Sequence, residues 1–330
     1  MDITTTYLGL RLASPLIVGS SGLTGSVDKI AAFARHGAGA VVLKSIFEEE
    51  ILFEYEDIMK EAQAEGVNLD QFDYYDYHLK GKRIDKYIEL IRSAKKTVDI
   101  PVIASINCIF SHEWTAFADR IQEAGADALE LNMFFLPSDF ERSAREQEEA
   151  YFRVIDKVLA AVSIPVALKI SYYFSNLGPM IQRLSRTGVA GLVLFNRFFS
   201  PDIDIDALKV KPSFVFSTPV ELAISLRWIA IMARKVDCDL AASTGVHDGE
   251  GLIKQLLAGA KAVQTVSSLY RQGPEHVETM LNRLKEWMQS HGYQRLVDFR
   301  GKLSQEAASN AAVYERVQFM RYFGGEKDVT

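Results

Sequence analysis

Four segments of the chain repeat one grammar: a helix end carrying glycine, a small residue, then a short apolar run that closes on a polar residue. They are HGAGAVVLKS (36–45), EAGADALELN (123–132), TGVAGLVLFN (187–196) and AGAKAVQTVS (258–267). The glycine suits the left-handed position that ends a helix, and the apolar run suits a strand buried on both faces. Three further segments, DIPVIASIN (99–107), SIPVALKIS (163–171) and DCDLAASTG (237–245), are strands that also end on polar residues, and SPLIVGSSG (14–22) makes eight.

Between them lie stretches such as VDKIAAFARHG, EEAYFRVIDKVLAAV and GEGLIKQLLAG, with apolar residues at three- and four-residue spacing, which predicts helices. Alternating strands and helices joined by crossovers require a parallel sheet. Eight units predict an α/β fold closed as a (β/α)8 TIM barrel, with an open doubly wound sheet as the alternative. TTYLGLRL is expected to form an N-terminal hairpin closing the bottom, and the stretch 290–330 to add C-terminal peripheral helices. Nothing in the chain marks a linker, so residues 1–330 are expected to form a single domain, with a lid-like insertion at about 46–81.

The formal net charge of −6 and the absence of a basic stripe argue against nucleic acid or an anionic membrane as partner. No apolar run approaches the roughly 18 residues of a membrane span, and the N-terminus lacks a basic segment followed by an apolar one. A cytoplasmic protein acting on a small molecule is expected. Two cysteines, Cys108 and Cys238, are too few for a disulfide framework, an iron–sulfur cluster or a Cys-rich metal site, and no metal is expected.

In such a barrel, chemistry is built just past the C-terminal ends of the strands. Those positions hold Ser20 and Ser21, Lys44 and Ser45, Ser105 and Asn107, Asn132, Lys169, Asn196, Ser243 to Gly245, and Ser267 with Ser268. The loops Ser243-Thr244-Gly245 and Val266-Ser267-Ser268 offer hydroxyls and backbone N–H groups ahead of helices, where a phosphate dianion is favoured. Tight turns alone also select small residues, but two adjacent loops at the usual phosphate position of the barrel favour binding. Lys44 and Lys169, if not solvated, suit the pyrimidine edge of a flavin, where positive charge stabilises the reduced ring. Asn107, Asn132 and Asn196 both donate and accept, which suits a planar heterocycle.

The order and spacing of SPLIVGSSG, GAGAVVLKS, IPVIASI, ADALELN, PVALKISYYF and STGVHDGEGLIKQLLAGAKAVQTVSSLY resemble those of the dihydroorotate dehydrogenase family, of the soluble kind that carries FMN alone. The resemblance runs from about residue 5 to about residue 290. It implies FMN, a homodimer, and hydride transfer between a substrate C–C bond and the flavin in pyrimidine biosynthesis. Ser20, Ser21, Lys44 and Ser45 would approach the ring and ribityl chain. Asn132, Lys169 and Asn196 would contact the isoalloxazine, and Ser217, Thr218, Ser243 to Gly245 and Val266 to Ser268 would surround the phosphate. Lys44, Asn132 and Asn196 would also reach substrate, with Arg197 as a local counter-charge.

Two stretches depart from the family pattern. Where it carries a Cys or Ser base after the fourth strand, this chain reads ELNMFFLPSDF and places Phe135 at that position; Ser138 and Cys108 are the substitutes within reach. Where the family carries a substrate-binding segment after the second strand, this chain has the acidic and aromatic IFEEEILFEYEDIMKEAQAEGVNLDQFDYYDYHLKGK. The alternatives are a reductase of another heterocycle or enone with Tyr172 or Tyr173 as proton donor, a non-catalytic flavin or phosphate-ligand barrel, and a Schiff-base aldolase or isomerase using Lys169.

Overall fold

A computed structural model describes residues 1–47, 72–107, 114–133, 135–197, 200–213, 216–308 and 311–315. The chain begins with the antiparallel hairpin β1 (Thr5–Tyr7) and β2 (Leu10–Leu12). The alternation then starts with β3 (Leu16–Val18), α1 (Val27–Arg35) and β4 (Ala40–Val42), followed by the two-residue strand β5 (Ile46–Phe47). It continues through α2 (Phe72–Thr97), β6 (Val102–Asn107), α3 (Trp114–Glu123), β7 (Ala128–Met133), α4 (Ala144–Ala161), β8 (Val166–Ile170), α5 (Leu177–Ser185) and β9 (Gly191–Leu194). A second hairpin, β10 (Ser200–Asp204) and β11 (Lys209–Ser213), precedes α6 (Leu222–Met232), β12 (Asp239–Ala242), α7 (Gly249–Ala258), β13 (Ala262–Thr265), α8 (Ser267–Gln272) and α9 (Glu275–Ser290).

The parallel strands run in the order β3, β4, β6, β7, β8, β9, β12, β13, and β13 pairs back onto β3, so the sheet closes. The open-sheet alternative is thereby excluded. The glycines expected to end the helices do so: Gly37, Gly125, Gly188 and Gly259 have φ of 92°, 93°, 97° and 122°. Among the described residues of the expected C-terminal stretch, the helices beyond α9 are short 3-10 turns, Leu296–Asp298 and Ala311–Tyr314, and residues 309–310 and 316–330 lie outside the described residues. Of the lid-like stretch 46–81, residues 48–71 lie outside the described residues.

Two apolar layers hold the barrel. The larger lies between the outer faces of the strands and the helices. The smaller fills the barrel's bottom with Ile17, Val42, Ile103, Ala128, Ala167, Val193, Ala241 and Ala262, capped by Tyr7, Leu8 and Leu12 from the first hairpin. Because successive strand residues point to opposite faces, the residues two steps along from this plug also face inward. Above Ala128 these are Glu130 and Asn132, above Ala167 Lys169, above Ala262 Gln264, and above Ile103 Ser105 and Asn107. The registers agree: Asn132 lies beside Lys169, and Ser105 beside Glu130. The barrel interior therefore turns from apolar to polar toward its C-terminal mouth.

Candidate functional site

A cavity of about 500 Å³ opens at that mouth, within the range of pockets that enclose a small molecule or cofactor, roughly 300–1,000 Å³. Its floor is a buried polar network. The Lys169 ammonium donates to Gln264 Oε1 at 2.8 Å, and Gln264 Nε2 donates to Glu130 Oε2 at 2.5 Å. Glu130 Oε1 stands 3.7 Å from Lys169 Nζ and has no hydrogen-bond partner, although the residue is 1% exposed. Lys169 thus stands at the cavity wall with a carboxylate behind it, which offsets the cost of burying its charge.

One end of the cavity is built from hydroxyls and backbone. The Ser217 N–H donates to Ser267 Oγ at 2.9 Å; the Ser217 hydroxyl lies 3.1 Å from Ser267 Oγ and 3.0 Å from His247 Nε2. Burial, and then the charge of Arg271, hold the His247 imidazole below its ordinary pKa. Thr244 and Gly245 are both left-handed, at φ 77° and 79°, and a Cβ on Gly245 would fall 2.1 Å from the Leu222 nitrogen. Only glycine lets this loop pack so closely on the start of α6. Ser267 opens α8, where first-turn N–H groups have no intrahelical acceptor. This end suits a dianion, and Ser20, Ser21, Ser243 and Val266 complete the wall.

The other end is amide and aromatic. Asn196 lines the cavity and its amide donates to Asn132, which fixes both side chains. The Asn196 carbonyl oxygen in turn accepts from the Arg197 N–H at 2.7 Å. The Arg197 guanidinium is held by Glu221 at 2.6 Å. Partial burial opposes ionisation of Glu221, yet Arg197 and the Thr218 N–H keep its carboxyl below the usual range. Phe195 is buried against the cavity, with Tyr172 edge-on to it at 5.7 Å.

Several expected site residues stand back from the cavity wall. Thr218 does not line it: its N–H and hydroxyl both bond Glu221, capping the 3-10 turn Pro219–Glu221. The Ser268 hydroxyl points inward to Thr265 at 2.9 Å. Ser45 acts behind Ser20, bridging it to Ser105 at 3.0 and 2.7 Å. Asn107 is buried at the end of β6, and the Lys44 side chain is exposed. Phe135 is half-buried, its ring edge-on to Tyr151 at 5.1 Å, and Ser138 is exposed on the following loop. Cys108 lies outside the described residues. Cys238 sits at the start of β12, at the end of the barrel away from the mouth, its thiol pushed up to about 12 by burial.

Glu130 and Gln264, central to the floor, are not strand-end residues; the two-residue period running back from Asn132 and forward from Ala262 is the signal that finds them. Phe216 and Tyr270, which flank the hydroxyl-rich end at a ring separation of 5.3 Å, carry no comparable pattern. Among the described residues, no group of three or more His, Cys, Asp or Glu could hold a metal ion, and no helix is long and apolar enough to cross a membrane.

The chain is of the class of closed (β/α)8 barrels with a polar mouth, in which hydroxyls and a glycine turn follow the last two strands and a lysine and an asparagine line the same cavity. Within that class, the family model described as "Dihydroorotate dehydrogenase" matches residues 2–288, and the chain belongs to that family. It is accordingly an oxidoreductase acting on CH–CH bonds. Its relatives include the catalytic subunit of dihydroorotate dehydrogenase B (NAD(+)) of Thermoplasma acidophilum, 24% identical over 91% of this chain and 98% of that protein. The dihydroorotate dehydrogenase A (fumarate) of Lactococcus lactis is 23% identical over 91% and 99%. The chloroplastic dihydropyrimidine dehydrogenase (NADP(+)) of Arabidopsis thaliana is 24% identical over 96% of this chain and 80% of its own length.

Proposed function

We propose that the mouth binds FMN and that the chain moves a hydride between a substrate C–C bond and the flavin, as in pyrimidine biosynthesis. The observation that carries this reading is that a hydroxyl-and-glycine cradle lines one cavity together with Lys169 and Asn196, whose amide donates to the buried Asn132. Ser217, Gly245 and Ser267 would hold the phosphate. Lys169, backed by Glu130 through Gln264, would face the pyrimidine edge of the ring, where its charge opposes the negative charge of the reduced state. Bound FMN supplies a two-electron acceptor at N5. Asn196, held by Asn132, would orient a substrate, and the aromatic wall around Phe195 would exclude water.

The relatives' names point to dihydroorotate. A second reading, reduction of another heterocycle or enone with Tyr172 or Tyr173 as proton donor, is favoured by Phe135: a phenyl group cannot take the proton that must leave when dihydroorotate gives up its hydride. Anaerobic addition of dihydroorotate to the FMN-loaded protein tests the choice. Bleaching of the flavin band within seconds supports dihydroorotate; a flavin that stays oxidised supports the second reading.

The proposal includes a homodimer in the cytoplasm. In the β10–β11 hairpin Ile203 pairs with Val210, while Lys211 on the other face lies within 4 Å of Asp202 and Asp204. Ile203, Val210 and the tip residue Leu208 are 64%, 75% and 85% exposed. A lone two-stranded hairpin is marginally stable in water, which supports a second copy covering that apolar face. Sedimentation of wild type and Ile203→Lys checks this, with a dimer and a monomer expected.

A further inference from the structure

The mouth does not end at Phe195. The Tyr172 ring stands edge-on to Phe195 and packs on Tyr173 at 4.8 Å, and both tyrosines are more than a third exposed. On its inner side Tyr172 joins Asn196 and Arg197 around a narrow cleft of about 70 Å³ that shares Phe195 with the main cavity. On its outer side the same ring, with Tyr173, Phe174, Pro137, Ala144 and Gln147, walls a second cavity of about 380 Å³. Tyr172 is therefore a wall residue of both spaces.

We propose that this outer cavity is a substrate subsite for an uncharged aromatic or flat apolar arm. The inference rests on reading the mouth as the oxidoreductase site, and it names the class of substrate: a neutral molecule larger than dihydroorotate, with its reacting carbons over Asn132 and Asn196. Three observations favour that occupant. The walls offer aromatic faces, which stack on flat groups. The carboxylate at the rim, Glu148, is held by Arg183 at 2.9 Å. At the inner end Arg197 is engaged by Glu221, which offsets its charge. The volume lies in the range that encloses small ligands, roughly 300–1,000 Å³.

Phe135 and Leu136 fit the same account. They follow β7 directly ahead of Pro137, with Leu136 exposed and the Phe135 ring packed on Tyr151, which itself touches Phe174 at 5.2 Å. The loop that holds the base in other family members here continues the apolar wall toward the outer cavity.

Calorimetric titration of the full chain with three uncharged or charged variants of one ring is the test: 5,6-dihydrouracil, its 6-phenyl derivative, and dihydroorotate, which carries a carboxylate at the same carbon. The 6-phenyl compound is expected to bind at least 10-fold tighter than dihydrouracil, and dihydroorotate no tighter than dihydrouracil. Ala144→Phe, which fills the outer cavity from an exposed first-turn position, is expected to bring the ratio of phenyl to unsubstituted affinity to about 1, and Tyr173→Ala to cut it about fivefold. Equal binding of the phenyl and unsubstituted rings, or a phenyl advantage that survives both substitutions, overturns the proposal. Calorimetry needs no flavin. A phenyl advantage lost on filling the cavity, in a protein that neither carries FMN nor takes up added FMN, would uphold the subsite while sinking the flavin reading.

Discussion

The two ends of the mouth are built on different principles. At the phosphate end, Ser217, Ser267 and Gly245 present hydroxyls and backbone held by bonds of 2.9 to 3.1 Å and by a turn that only glycine can make. At the proposed substrate end, Tyr172, Tyr173 and Phe195 present rings, Phe135 packs on Tyr151, and Arg197 is tied to Glu221. A phosphate must be met by donors whatever the reaction, so the first end is chemically constrained. The second end is free to change with substrate, and in the proposed reading an aromatic side chain, Phe135, stands where the family pattern places a base.

The largest effects should come from the substrate end. A missing base costs about 10²–10⁴ in rate, so wild type should oxidise dihydroorotate that much more slowly than a base-bearing relative. Phe135→Cys should recover a measurable part, at least 10-fold in stopped-flow flavin reduction. No gain from that substitution would break the assignment of position 135.

The floor shared by both ends comes next. Lys169→Met leaves Glu130 buried with its charge partner gone, a change that costs about 3–5 kcal/mol in comparable sites. Urea denaturation should register that loss, and adding Glu130→Gln should return most of it. If the single substitution is silent, the network does not hold Lys169 in place.

At the phosphate end the effects are smaller and act on cofactor retention. Gly245→Ala should cost about 1–3 kcal/mol through backbone strain, read as a lowered midpoint and faster FMN loss. Ser217→Ala removes one hydroxyl, worth about 1 kcal/mol or roughly fivefold in FMN affinity, measured by fluorescence titration of the apoprotein.

The smallest effect is the pH dependence of His247. Burial and Arg271 lower its folded pKa from 6.5. Above that value both states are neutral and the contribution to stability is complete. As pH falls below 6.5, the unfolded chain takes the proton first and stability drops. Melting temperatures between about pH 5 and 8 should show that slope. His247→Asn should flatten it.

Much of this was legible in the sequence, and the parts that were not have physical reasons. The eight strands were readable because each is a short apolar run that closes on a polar residue, and four of them begin after a glycine in a left-handed turn. The residues that line the cavity, such as Ser20, Ser21, Lys169, Asn196 and Ser243, were readable as strand-end positions. The hydroxyls of Thr218 and Ser268 bond locally, to Glu221 and Thr265, because a hydroxyl near a loop serves a local cap as readily as a cavity. Glu130 and Gln264 lie one layer below the strand ends, where charge and amide are unexpected unless the inward period is followed down from Asn132. The β10–β11 hairpin escaped notice although Asp202-Ile203-Asp204 and Lys209-Val210-Lys211 alternate with period two.

The central claim is that one phosphorylated flavin occupies the mouth with its phosphate among Ser217, Gly245 and Ser267. It is tested most directly by the visible spectrum of the purified chain, followed by identification and quantitation of the flavin released on denaturation. The account predicts a yellow protein carrying FMN at one per chain, with occupancy falling in Gly245→Ala. A colourless protein that fails to take up added FMN, or an FMN content untouched by that substitution, would contradict it.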